Sequence, residues 1–183
     1  MEHWAEQELV GRDFRDEDLS RLRTDRVVFS ECDFSGANLA ESEHFGSAFR
    51  NCKFERTSLW HSQFHQCSFL GSTFVECRLR PITFDEVDFT LAALGGSDLR
   101  GVDLSGCRLR ETSLVEADLR KGVLRGVDLG GARTTATRLD EADLRGATAD
   151  PSLWTTASLA GAQIDLAQAL MYAAAHGLRV HGE

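Results

Sequence analysis

Every fifth residue from Trp4 to Ala169 is large and apolar almost without exception, and the phase of this repeat never slips. Of the 34 positions in the register, 16 are Leu, 10 are Phe, two are Trp and one is Ile; the exceptions are Thr24, His44, Thr134, Ala149 and Ala169. An amphipathic helix needs apolar spacing near 3.6 and a half-buried strand spacing near 2, so a period of five fits neither. Two residues before each centre runs a second set that is small nearly throughout, from Leu22, Val27, Cys32 and Ala37 to Ala167. Two residues after a centre fall 11 of the 16 glycines and both prolines, Pro81 and Pro151, which marks a corner. One large and one small inward side chain per bend predict a solenoid, its stacked turns joined by short parallel β-bridges around a continuous Phe and Leu ladder.

All five cysteines (Cys32, Cys52, Cys67, Cys77 and Cys107) belong to the small inward set, where a thiol acts as a compact hydrophobe. An odd count without a CxxC pair also speaks against a disulfide framework or a zinc ribbon. The start, MEHWAEQELVGRDF, lacks the basic and apolar regions of a secretory signal, and no apolar run approaches ~20 residues, so a cytoplasmic location is expected. The formal net charge of −9 argues against direct binding to nucleic acid phosphates or anionic lipid.

Catalytic signatures such as HExxH, GxSxG, a Walker loop or a strand-linked GxGxxG are missing from the sequence. His61 and His65 have zinc-pair spacing only on a helix; in the five-residue register His61 is a corner and His65 faces outward. No catalytic residue, cofactor or metal is therefore expected, because a rod with a filled core offers no cleft to desolvate one. His44, at a centre, reads either as a satisfied core residue or as the mark of a bulge that turns Phe45 inward. Trp60 faces outward as a contact anchor or as one of the single exposed aromatics common on surfaces.

The runs CDFSGANLAES, GGSDLRGVDLSGCRLRETSLVEADLR and GVDLGGARTTATRLDEADLRGA resemble the A(D/N)LXX signature of the pentapeptide-repeat proteins, over about residues 4–165. That resemblance implies an all-β solenoid, a right-handed quadrilateral β-helix with four pentapeptides per coil. At ~4.8 Å between strands, its roughly eight coils would make a rod of about 40 Å. The expected organisation is a β-helix over residues 1–164 and a C-terminal capping and dimerisation helix with its tail over 165–183. Length, unbroken register and helical tail resemble most the fluoroquinolone-resistance members, which imitate duplex DNA and bind DNA gyrase. The resemblance thus implies gyrase as partner, with inhibition of the enzyme or its protection from quinolones; the alternative is an interaction scaffold for another partner. Qnr members carry projecting loops, and this sequence has no out-of-register insertion to form one.

Sorting the charges by side of the quadrilateral separates them. The first side has Phe64 and Phe84 among its centres, the second Phe29 and Phe69, the third Phe34 and Phe54, the fourth Leu39 and Leu79. The first two sides carry 14 acids and 7 bases, the other two 12 acids and 11 bases. An acidic partner-binding side is thus expected at Asp25, Glu31, Glu43, Asp85, Glu86, Asp88, Asp103, Glu111, Asp128 and Asp143. Duplex DNA holds one charge per ~1.7 Å, so 40 Å of it carries roughly 24 charges, and shape would have to share the mimicry with charge.

The repeat gives way at Asp165 to DLAQALMYAAAHGL, which reads as a helix with Asp165 as N-cap, Gln168 as its capping-box partner and Gly177 at C′. Leu166, Ala169, Leu170, Ala173 and Ala174 are expected to cover the end of the solenoid, with Met171, Tyr172 and Ala175 facing elsewhere. A helix apolar nearly all round predicts a two-fold dimer through Leu166, Leu170, Met171, Tyr172 and Ala174, the plainer reading being a cap alone.

Overall fold

The computed structural model describes residues 2–181. Every β-pairing is parallel and joins residues 20 apart, from His3↔Arg23 in the first coil to Asp143↔Gln163 near the end. Four five-residue sides therefore make one coil. Strands His3–Ala5, Arg23–Asp25, Glu43–Phe45, Gln63–His65 and Thr83–Asp85 stack in that order on the first side. Glu8–Val10, Val28–Ser30 and Ala48–Arg50 do so on the second, and Lys53–Glu55 pairs Thr73–Val75 on the third. Among the described residues no helix is long and apolar enough to cross a membrane.

The 20-residue offset places like centres directly above one another. Phe29, Phe49, Phe69 and Phe89 form one stack, with ring centroids 4.8, 5.0 and 5.5 Å apart. Phe14, Phe34, Phe54 and Phe74 form a second, at 4.9, 5.0 and 4.8 Å. The stacks meet edge to face, as between Phe69 and Phe74 at 5.1 Å, the arrangement that the ring quadrupole favours. From Leu94 onward leucines take over the centres, and the core continues as an aliphatic column.

The small inward slots have a second role that their size alone does not announce. Thr57, Ser72, Thr112 and Thr137 each donate a hydroxyl hydrogen bond to the carbonyl of a centre 23 residues earlier, at 2.7–2.8 Å. Each thereby satisfies a buried acceptor, which explains why Ser and Thr share these slots with Ala, Val and Cys. The corners are left-handed whether or not glycine is present: 18 non-glycine residues have positive φ, among them Glu31, Glu86 and Glu111. That conformation costs ~1–2 kcal/mol for a residue with a Cβ. It turns the corner N–H toward the next coil, as where Glu31 donates to the Arg50 carbonyl at 2.8 Å, and this hydrogen bond offsets the strain. At Gly36 and Gly71 glycine also leaves room for the side-chain oxygens of Asp16 and Asn51 one coil below, which a Cβ would push aside.

His44 is buried in the first side without a bulge, its ring stacked on Phe64 at 4.6 Å. Ser62 Oγ donates to the Leu39 carbonyl at 2.7 Å and receives the Ser42 hydroxyl at 3.2 Å. Ser42 therefore accepts from His44 Nε2–H at 2.9 Å, while Thr24 Oγ1 lies 2.8 Å from Nδ1 and donates to it. This hydrogen-bond count assigns His44 as the neutral Nε2–H tautomer, satisfied at both nitrogens.

The repeat ends less smoothly than its period implies. The third side of the last coil is replaced by helix α1, Leu153–Thr156, which buries Leu153 together with the in-register Trp154. Helix α2, Leu166–Ala175, begins at the expected capping box, with Asp165 and Gln168 exchanging hydrogen bonds of 2.9 Å. It stops in a Schellman motif in which Gly177 N–H bonds the Ala174 carbonyl and Leu178 N–H that of Ala173. The face that α2 turns to the coil differs from the expected one. Leu166 and Leu170 are 79% and 45% exposed, and Ala174 is exposed with them. The residue driven inward is Gln168, whose amide donates to the carbonyls of Leu144 and Ala147 at 2.6 and 2.8 Å. A solenoid end presents backbone carbonyls with acceptor capacity to spare, so a polar side chain that pairs them seats the helix.

Candidate protein-binding surface

The repeat places outward side chains in columns one coil apart, and their neighbours along a column decide which charges are free. Aspartates immediately before a centre serve the coil itself: Asp88 and Asp103 accept the backbone N–H groups of Thr90 and Ser105 at 2.9 Å. Asp33, Asp98, Asp118, Asp128 and Asp143 do the same two residues ahead. This Asx-type bond is the physical reason for Asp or Asn in the A(D/N)LXX repeat.

Several of the ten expected contact acids are further neutralised. Glu43 pairs with Arg23 at 2.6 Å, Asp25 with Arg26 at 3.4 Å, Asp88 with Arg108 at 3.4 Å and Asp128 with Arg110 at 3.1 Å. Asp128 is held below the usual carboxylate range by the Gly130 N–H first and by Arg110 next. Asp143 does not belong on a docking surface. It is 6% exposed and clamped between Arg145, at 2.7 Å, and Arg125. Those two guanidiniums, Arg145 foremost, keep its carboxyl well below the ordinary range, and a partner would find arginines there.

What remains is a set of corner glutamates. Glu31, Glu86 and Glu111 are exposed at left-handed corners, and none makes an ion pair among the described residues; Glu86 only accepts from Gln66 Nε2 at 2.9 Å. Asp103 stands among them on the first side with one oxygen committed to the Ser105 amide. Along the same side runs an outward ladder in which Phe45, 40% exposed, stacks on His65 at 5.0 Å and His65 Nδ1 meets Asp85 at 3.1 Å. An aromatic plateau thus interrupts the acids, which the charge count did not reveal. Trp60, on the fourth side, is partly covered by the Arg78 guanidinium, 5.0 Å from its ring.

A second surface lies on the outer face of α2. Leu166, Leu170 and Ala174 form a stripe at i, i+4 and i+8, flanked by Met171 at 51% exposure. Tyr172, expected in the dimer contact, lies instead on nearly the opposite face of α2, stacked on His176 at 4.2 Å and edge-on to Trp154 at 6.4 Å, and belongs to the cap.

Comparison with known proteins gives two matching family descriptions: "Pentapeptide repeat region" over residues 57–134 and "Pentapeptide repeats (9 copies)" over residues 25–73. The chain is similar to the pentapeptide repeat protein MfpA of Mycolicibacterium smegmatis, 69% identical over 179 residues that cover 98% of this chain and 94% of the relative. It is also similar to MfpA of Mycobacterium tuberculosis, 72% identical over 106 residues; there the match spans 58% of each protein. Among solved structures it is similar to a trypsin-treated variant of QnrB1, described as a plasmid-mediated fluoroquinolone resistance protein. That likeness has a TM-score of 0.61 at 21% identity over 98% of this chain and 99% of the other, and it speaks for the fold alone.

Proposed function

The chain belongs to the pentapeptide-repeat family, and on that footing we propose that it is a DNA-mimicking binding protein of DNA gyrase. It acts in the cytoplasm, occupies the enzyme's DNA-binding surface, and so inhibits gyrase or shields it from fluoroquinolones. The observation that carries this reading is the unpaired glutamates at the corners of the first two sides, on a rod whose coils repeat at strand spacing without a projecting loop. Similarity to MfpA along nearly the whole chain supports it, and QnrB1 shares the fold. Basic groups that normally meet phosphates would meet these carboxylates instead.

A supercoiling assay tests the proposal. The wild-type chain is expected to inhibit gyrase, with potency falling as salt rises and duplex DNA competing. Glu86→Lys combined with Glu111→Lys should weaken inhibition by about five- to tenfold, as two lost charge contacts imply. Glu76→Lys with Glu116→Lys, at corners bordering the third side, should leave it within about twofold. These positions suit the purpose because Arg56 already occupies the equivalent left-handed corner one coil before Glu76. Reversing Asp88 or Asp103 would instead disturb the coil whose amides they hold. Equal potency of the first pair and wild type would sink the acidic-side mechanism.

The protein acts as a two-fold dimer in this proposal, joined through the α2 stripe of Leu166, Leu170 and Ala174 with Met171 beside it. Two rods of ~40 Å would then align into one of roughly 80 Å. Leu170→Glu with Met171→Glu should convert the dimer to a monomer of unchanged β-signal in sedimentation, since both side chains point away from the coil. The monomer should also lose inhibitory potency. A wild-type chain that sediments as a monomer at micromolar concentration would remove the dimer.

A further inference from the structure

The two ends of the solenoid are finished differently. At the C-terminal end side chains reach back to the open edge. Gln168 donates to the Leu144 and Ala147 carbonyls, and Asp150 and Asp165 accept from the Gly131 and Gly146 N–H groups. At the N-terminal end no described residue does this. In the second coil Arg23, Val28, Asp33 and Asn38 each donate a backbone N–H to the coil before. The matching N–H groups of His3, Glu8, Asp13 and Asp18 therefore point out of the end of the rod, where none of the described residues meets them. His3–Ala5 and Glu8–Val10 are likewise the outermost strands of their sheets.

Inside this rim lies a bowl of about 440 Å³ with Trp4, Leu9, Phe14 and Leu19 as its floor. The inward slots that are small in later coils hold Glu2, Gln7, Arg12 and Glu17 here. Positions 2–20 carry seven acidic residues against two arginines, a net of −5 within a total of −9. More than half the net charge of the protein is thus gathered at one end.

We infer that this end docks an extended basic segment of another protein by strand addition. The segment lays its backbone along the free N–H groups of the rim, as a polypeptide joins any exposed sheet edge. Its alternate apolar side chains cover the Trp4 and Leu9 floor, and its Lys or Arg side chains meet the carboxylates of Glu2, Glu8 and Glu17. A second copy of this chain is the wrong occupant, because two ends of like charge repel.

The probe is a fluorescein-labelled peptide, acetyl-Lys-Val-Lys-Val-Lys-Val-Lys-amide, followed by anisotropy against the full chain at low salt. Saturable binding is expected, about tenfold weaker with Glu8→Lys plus Glu17→Lys and unchanged with Glu76→Lys plus Glu116→Lys. The same peptide N-methylated at its valines keeps its charge but cannot extend the ladder, and should also bind about tenfold more weakly. Equal losses from both mutant pairs would mean unspecific attraction to an acidic rod and overturn the proposal. Undiminished binding of the N-methylated peptide, or absence of binding by the parent peptide, would overturn it as well. So would a wild-type dimer that dissociates on Glu8→Lys, since a second copy would then occupy this end.

Discussion

Phe69→Ala should destabilise the protein by about 3–5 kcal/mol, read as a shift of the denaturant midpoint at constant slope. Phe69 is fully buried in the middle of the aromatic column, stacked on Phe49 at 5.0 Å and Phe89 at 5.5 Å and edge-on to Phe54, Phe64 and Phe74. Two features hold the cost near the upper end. The rings above and below are fixed by their own coils, whose spacing is set by backbone hydrogen bonds, so the cavity cannot collapse along the axis. The four walls are continuous β-ladders, so it cannot collapse sideways either. Cys67→Ala, two residues away, removes one sulfur and a weak bond to the His44 carbonyl at 3.4 Å, and should cost only about 1 kcal/mol. Comparable losses from the two substitutions would show that the inward register has been misassigned.

The second large effect is the acid sensitivity that His44 builds into the core. Burial without a carboxylate partner lowers its pKa from 6.5 to about 3. The unfolded chain therefore takes up the proton first, so the stability linked to this group is complete above pH ~6.5 and is lost as pH falls toward ~3. At ~1.36 kcal/mol per unit of pKa difference, the fall between pH 6.5 and 4.5 should amount to about 2 kcal/mol. His44→Phe supplies the comparison. Its ring continues the stack on Phe64, Ser42 keeps Ser62, and Thr24 keeps Ser47 at 2.8 Å. The difference in unfolding free energy between wild type and this variant should move by that amount across the interval, in disfavour of the wild type. Parallel pH profiles would mean that His44 is protonated in the folded state or is not enclosed. The strongly lowered carboxylates, such as Asp98 and Asp143, lose their contributions at lower pH and leave this window to the histidine.

For Phe69 and His44 alike, the inward position is readable from the five-residue period, because each coil of a solenoid packs only on its neighbours and the pattern of inward residues is a property of the chain itself. For the same reason the corners at Gly36, Glu31 and Pro81, the filled core and the α2 boundaries with their capping box are legible in one dimension. The number of sides is not, since three, four or five pentapeptides per turn satisfy the same period. Only the observed pairing of His3 with Arg23, and the same 20-residue offset in every later strand pair and bridge, closes the coil at four. Once that offset exists it decides what the letters cannot. Asp143 ceases to be a surface charge because Arg125 lies one coil below it and Arg145 two residues ahead, whereas Glu86 and Glu111 meet no cation among the described residues. Thr57 becomes a partner for the Phe34 carbonyl 23 residues away. The orientation of α2 was open for a related reason: its apolar residues surround the helix, so hydrophobicity selects no face. The Ala147 carbonyl, left without a coil above it, and the spare acceptor capacity of the Leu144 carbonyl do select one, and they draw in Gln168 while Leu166 and Leu170 remain outside.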